Sequence, residues 1–133
     1  MKKILSTVCI LLLSSIALFS QSRGTSVEVL YFKAPLPCCH ARACNIASND
    51  IKTMVETNYA NKPVVFREVQ LRDAANAELV KTYNAQSQTV VVVGTKRGKS
   101  TSVDISEAAQ KFIRGVMSEA DFLVELDKAI TSL

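Results

Sequence analysis

The sequence predicts an α/β domain, a mixed β-sheet flanked by helices with elements in the order βαβαββα. Three patterns predict it. Short β-branched apolar runs alternate twice with segments whose apolar residues recur at intervals of three and four, the signature of strand, helix, strand, helix. Two further β-rich runs follow with only a glycine-containing turn between them, which marks a hairpin. The chain then closes on helical periodicity. A parallel βαβ unit and an antiparallel hairpin therefore share one sheet, with helices on both faces.

The first residues precede this domain. Lys2 and Lys3 form a charged start, and Ile4 to Phe19 form an apolar run broken only by small polar residues. This pattern reads as a secretory signal peptide over residues 1–22, cleaved near Ser20 to Ser22, with a periplasmic or secreted product. No second long apolar stretch follows that would anchor the remainder. Cys9 sits inside the apolar run behind Val8, which is not the small residue that a lipid-attachment site uses.

Residues 23–133 form one domain, since 111 residues suffice for one core and not for two. With Lys2 and Lys3 removed, the net charge falls from +4 to +2. That balance gives no nucleic-acid signature. Lys96, Arg97 and Lys99 cluster around Gly98, where a short charged run at a hairpin tip reads as solvated surface.

Within the domain, Val27 to Phe32 is a short buried strand, which Pro35 and Pro37 terminate. From about Ala41 to Tyr59, Cys44, Ala47, Ile51, Met54, Val55 and Tyr59 form the apolar stripe of an amphipathic helix. Val64 to Val69 is the second strand. Asp73 then caps a helix through Tyr83, with Ala74, Ala77, Leu79 and Val80 as its apolar contacts. Thr89 to Val93 is an almost purely valine strand, and a turn over Gly94 to Lys99 leads to a weaker strand from Ser100 to Ile105. Ser106 opens a short helix to about Arg114, and Ser118 with Asp121 opens the last, which carries Phe122, Leu123, Leu126 and Ile130.

Chemistry concentrates in the stretch PCCHARAC at the junction of first strand and first helix. Three cysteines remain after processing, Cys38, Cys39 and Cys44, an odd number in an oxidising compartment. Three thiols within seven residues do not staple a fold, because stabilising bridges close long loops. A helix N-terminus stabilises a nearby thiolate, and the thiolate is the nucleophile of disulfide exchange. Cys38 and Cys39 are placed for that role, and a protonated His40 would add to it.

The order of elements and the cysteines at this junction resemble the thioredoxin-like superfamily from Val27 to the end. The segments VEVLYF, VVFREVQL, TVVVVG and KFIRGVMSEADFLVELDKAI, with the cysteines, are similar to the small secreted family labelled nitrophenyl compound nitroreductase subunit ArsF. The resemblance implies a redox pair at the head of the first helix. It also implies a membrane partner of the thiol-reductant-transporter class, or a thiol/disulfide protein substrate. The sequence departs from the family in lacking C-x-x-C. Counted from the strand, Cys38 takes the family's first cysteine position; counted back from Tyr59, Cys44 takes the second, with three residues inserted between them. Cys39 has no family counterpart. Gln88 stands where thioredoxins place a cis proline, and an ordinary trans bond is expected there, because a cis bond at a non-proline costs about 3 kcal/mol.

The leading expectation is a thiol:disulfide oxidoreductase or electron carrier, in which Cys38 or Cys39 attacks and Cys44 resolves, without a cofactor. A disulfide requires Cα atoms roughly 4.4–6.8 Å apart. Pairing of Cys39, or of Cys38, with Cys44 therefore requires a looped segment through His40, since a continuous helix rises about 1.5 Å per residue. The alternatives are a soft-metal or arsenical site on Cys38, Cys39, His40 and Cys44, because thiolates select soft ions, and a redox-inactive docking subunit. A flavin-dependent nitroreductase is disfavoured, because no nucleotide-binding glycine motif is present.

Overall fold

The computed structural model describes residues 24–35 and 38–133, with side chains described over 24–35 and from Asn45 onward. Residues 1–22, expected to be a signal peptide, lie outside the described residues. Strand β1 (Ser26–Lys33) leads to helix α1 (Cys38–Asn58), strand β2 (Val64–Gln70), a 3₁₀ turn (Ala74–Asn76) and helix α2 (Ala77–Thr82). Strands β3 (Val90–Lys96) and β4 (Lys99–Asp104), then helices α3 (Ser106–Ile113) and α4 (Glu119–Thr131), complete the chain. No helix among the described residues is long and apolar enough to cross a membrane.

The four strands lie in the order β2-β1-β3-β4. β1 pairs parallel with β2, from Val27 opposite Val64 to Lys33 opposite Gln70. It pairs antiparallel with β3, which in turn pairs antiparallel with β4. This is the α/β, thioredoxin-like mixed sheet that the element order predicted. β1 and β3 are central and covered on both faces, so they read as nearly continuous apolar runs rather than alternating ones. One face carries Val29, Tyr31 and Val92 against Ile51 and Val55 of α1, Ala109 of α3 and Phe122 and Leu126 of α4. On the opposite face Leu30, Phe32, Val69 and Val91 meet Leu79 and Val80 of α2. Phe122 is fully buried and stacks on Phe112 with ring centroids 5.1 Å apart.

Local signals fix the element ends. The Ser118 hydroxyl accepts from the Asp121 amide at 3.1 Å and donates to its carboxylate at 2.7 Å, closing the first turn of α4. Asp73 accepts from the Ala75 amide at 2.9 Å.

Four expectations need correction. Helix α1 begins at Cys38, three residues before Ala41, so the proline-bearing link from β1 does not extend past position 37. The helix after Asp73 divides into a 3₁₀ turn and six α-helical residues, with Ala74 and Ala77 exposed. Buried Asn76 instead anchors the turn by donating to the Gln70 carbonyl at 3.0 Å. The hairpin turn is much tighter than Gly94 to Lys99. β3 continues to Lys96, and only Arg97 and Gly98 remain between the strands, at φ +53° and +78°. Two successive positive φ values suit the twist of paired strands. Finally, β4 ends at Asp104, whose carboxylate accepts from the Ser106 amide at 2.8 Å where α3 starts.

Candidate functional site

Helix α1 begins at Cys38, five positions after the interior strand β1 ends at Lys33. Cys38 and Cys39 thereby occupy the first turn of a 21-residue helix and Cys44 the second. The first amides of a helix have no intrahelical acceptor and carry partial positive charge, with which an anionic sulfur interacts favourably. No acidic residue occupies that first turn to oppose it. The side chains of Cys38, Cys39, His40 and Cys44 lie outside the described residues, so the backbone alone locates them.

That backbone has a chemical consequence. In a continuous α-helix, positions five and six apart have Cα atoms roughly 9 and 10 Å apart, from a rise of about 1.5 Å, a turn of about 100° and a radius of about 2.3 Å per residue. Both exceed the reach of a disulfide. Pairing of Cys44 with Cys39 or Cys38 therefore needs the first turn of α1 to unwind. His40 and Cys44, by contrast, are four apart, which sets them one turn from each other on the helix.

One turn beyond Cys44 stands a polar network that the sequence reading missed. Ser48, only 2% exposed, donates its hydroxyl to the Glu68 carboxylate at 2.6 Å. Lys33, at the end of β1, donates to both Glu68 oxygens at 3.2 and 3.1 Å, and Gln70 donates to one of them at 2.8 Å. Burial pushes the Glu68 carboxyl up. The hydrogen bonds from Ser48 and Lys33, the Lys33 charge and the bond from Gln70 together outweigh it and hold the group below the usual carboxylate range. The network ties β1, β2 and α1 together next to the cysteine-bearing turns. A sequence signal existed: Lys33 extends the face of Val27, Val29 and Tyr31, Glu68 that of Val64 and Phe66, and Ser48 falls within the buried stripe of α1.

On the other side of β1, Gln88 closes the site's backbone frame. Its amide donates to the Phe32 carbonyl at 2.8 Å, and the Phe32 amide donates to the Thr89 carbonyl at 2.9 Å. The described residues contain no cis peptide bond, so Gln88 is trans as expected, but its φ is +68°. A left-handed non-glycine residue costs about 1 kcal/mol or more, a cost that the two flanking hydrogen bonds help to offset. Lys96, Arg97 and Lys99 are exposed at the hairpin tip and take no part in this region.

No family model matches the chain, and no curated protein matches it. Among solved structures, one described as "Structure of a malarial protein" is similar at 20% identity and a TM-score of 0.44, covering 78% of this chain and 97% of that one. A likeness of that degree has no bearing on what this chain does.

Proposed function

We propose that the protein is an exported thioredoxin-like thiol:disulfide oxidoreductase or electron carrier that works through Cys38, Cys39 and Cys44. The observation that carries this reading is the start of α1 at Cys38, directly after the central strand of a β2-β1-β3-β4 sheet. The thiolate of Cys38 or Cys39, favoured by the helix terminus, attacks one sulfur of a partner's disulfide. A new sulfur–sulfur bond forms, the partner's bond breaks, and the second partner sulfur leaves as a thiolate that takes up a proton. Cys44 then attacks the mixed disulfide once the first turn unwinds, releasing the reduced partner and leaving the pair oxidised. A membrane thiol-reductant transporter restores the dithiol. The reaction uses no cofactor, and the charged, apolar start of the chain supports a periplasmic or secreted location.

A second reading is favoured by the one-turn separation of His40 and Cys44. With Cys38 and Cys39 they offer thiolates and an imidazole to Cu(I), Zn(II) or a trivalent arsenical. A thiol census by intact mass separates the two. Acid-quenched protein alkylated with and without prior reduction is expected to reveal two thiols only after reduction, and Cys44→Ser is expected to accumulate mixed disulfides. Three thiols free throughout, with one bound ion under native conditions, would replace the redox reading by the metal site. Three free thiols with nothing bound would leave a docking subunit.

A further inference from the structure

Next to the cysteine-bearing turns, α1 and α3 enclose a notch of about 230 Å³ lined by Ile46, Ala47, Asp50, Phe112 and Ile113. Ile46 is 54% exposed, a large aliphatic side chain left in water two positions after Cys44. Asp50 lies one turn further along α1, and no ion pair engages it among the described residues. A larger groove is lined by β4, α3 and α4. Its lysines are already paired, Lys111 with Glu107 and Lys128 with Glu125, both at 2.7 Å. The notch combines apolar walls with Asp50, which forms no ion pair among the described residues, on the helix that carries the cysteines. Its volume falls below the range of small-molecule and cofactor pockets, roughly 300–1,000 Å³, and suits one large side chain.

We propose that this notch docks the disulfide-bearing protein that the cysteines react with, taking one apolar side chain against Ile46 and Phe112 and a basic side chain against Asp50. The proposal rests on the redox reading for its partner, and the helix supplies a ruler for it. Ile46 lies about 10–12 Å along α1 from Cys39 and Cys38, and Asp50 about 6 Å beyond it. An extended peptide advances about 3.3 Å per residue. The partner's apolar residue therefore falls three or four positions from its reacting cysteine, and its lysine or arginine about two positions further. Burying one large aliphatic side chain is worth about tenfold or more in affinity.

The test compares exchange rates with two disulfides, a peptide carrying Leu and Lys at those spacings and glutathione disulfide, which has neither. Ile46→Glu is expected to lower kcat/KM for the peptide at least about tenfold and to leave glutathione disulfide within about twofold. Asp50→Lys is expected to disfavour the Lys peptide and to favour one with Glu in its place. Because Ile46 and Asp50 are exposed, both variants keep the fold. Separately, the Cys38→Ser, Cys39→Ser, Cys44→Ser protein is titrated with the peptide's serine analogue while the NMR shifts of Ile46 and Phe112 are followed. Unchanged peptide rates in both variants would overturn the notch and leave the redox reading standing. So would a dimer lost in Ile46→Glu with rates unmoved, which assigns the notch to a second copy. Shifts at Ile46 and Phe112 from a protein that exchanges with neither disulfide would refute the redox reading and retain the docking notch.

Discussion

Removing the Ser48 hydroxyl should destabilise the protein by an amount that depends on whether Glu68 is present. Ser48 is buried and gives Glu68 its shortest hydrogen bond, at 2.6 Å. Hydrogen bonds to charged groups contribute about 1.5–3 kcal/mol. The lower end applies, because Glu68 keeps Lys33 and Gln70 and is itself partly exposed. Ser48→Ala is thus expected to cost about 1.5 kcal/mol. Glu68→Ala should cost more, because it strands a buried hydroxyl and frees Lys33. The double variant should be less destabilised than the two singles added together by about 1.5 kcal/mol, measured by urea unfolding followed by circular dichroism. The Lys33 pair, partly exposed at both ends, is worth about 0.5–1 kcal/mol.

The same carboxylate fixes a pH dependence. Its folded pKa lies below the unfolded one. The unfolded chain therefore binds the proton more readily, and the contribution is complete above the ordinary carboxylate range and lost as pH falls through the folded value. Stability of the wild type should decline on acidification through that window more steeply than that of Glu68→Gln. Single-variant costs that add to within about 0.4 kcal/mol, or parallel pH profiles for wild type and Glu68→Gln, would refute the account of the network.

Phe122→Ala removes a fully buried ring stacked on Phe112 and should cost about 3–5 kcal/mol, read as a lower urea midpoint with an unchanged slope. At Gly94 an added Cβ would meet the Leu133 Cβ at 2.8 Å, so Gly94→Ala should destabilise by about 1–3 kcal/mol, and deleting Leu133 in the same chain should recover most of the loss. No recovery would show that the clash lies elsewhere. Burial, the neighbouring Asp127 charge and the hydrogen bond to Asp127 push the Tyr59 phenol up to about 12. Spectrophotometric titration at alkaline pH should show the late-ionising absorbance reduced by one phenol in Tyr59→Phe. The folded state holds that proton longer, so its contribution is complete below the unfolded value of about 10 and disappears as pH rises towards 12.

Much of this architecture is carried by local pattern. The valine run of β3, the three- and four-residue spacing of Ala47, Ile51, Met54, Val55 and Tyr59, and the Ser118 cap each select a conformation over a few residues. Such preferences are decided by neighbours in sequence, so the order of elements and the cysteine position at a strand–helix junction are legible without coordinates. Boundaries were less so. The first turn of α1 joins a helix whose stripe begins later, and Arg97 adopts positive φ because the pairing of β3 with β4 demands it.

The tertiary structure alone decided which polar residues meet. Lys33, Ser48 and Glu68 are up to 35 positions apart, and although each continues an apolar face, nothing local says which of them meet. Only the parallel register of β1 with β2, and the packing of α1 over them, brings a hydroxyl, an ammonium and a carboxylate within hydrogen-bond distance. The same holds for the notch, whose lining residues on α1 and α3 lie more than 60 positions apart. Secondary structure follows from short-range sterics and periodicity, which the sequence contains directly. Contacts between distant segments depend on a sheet order and a helix packing that form only when the whole apolar surface is buried at once.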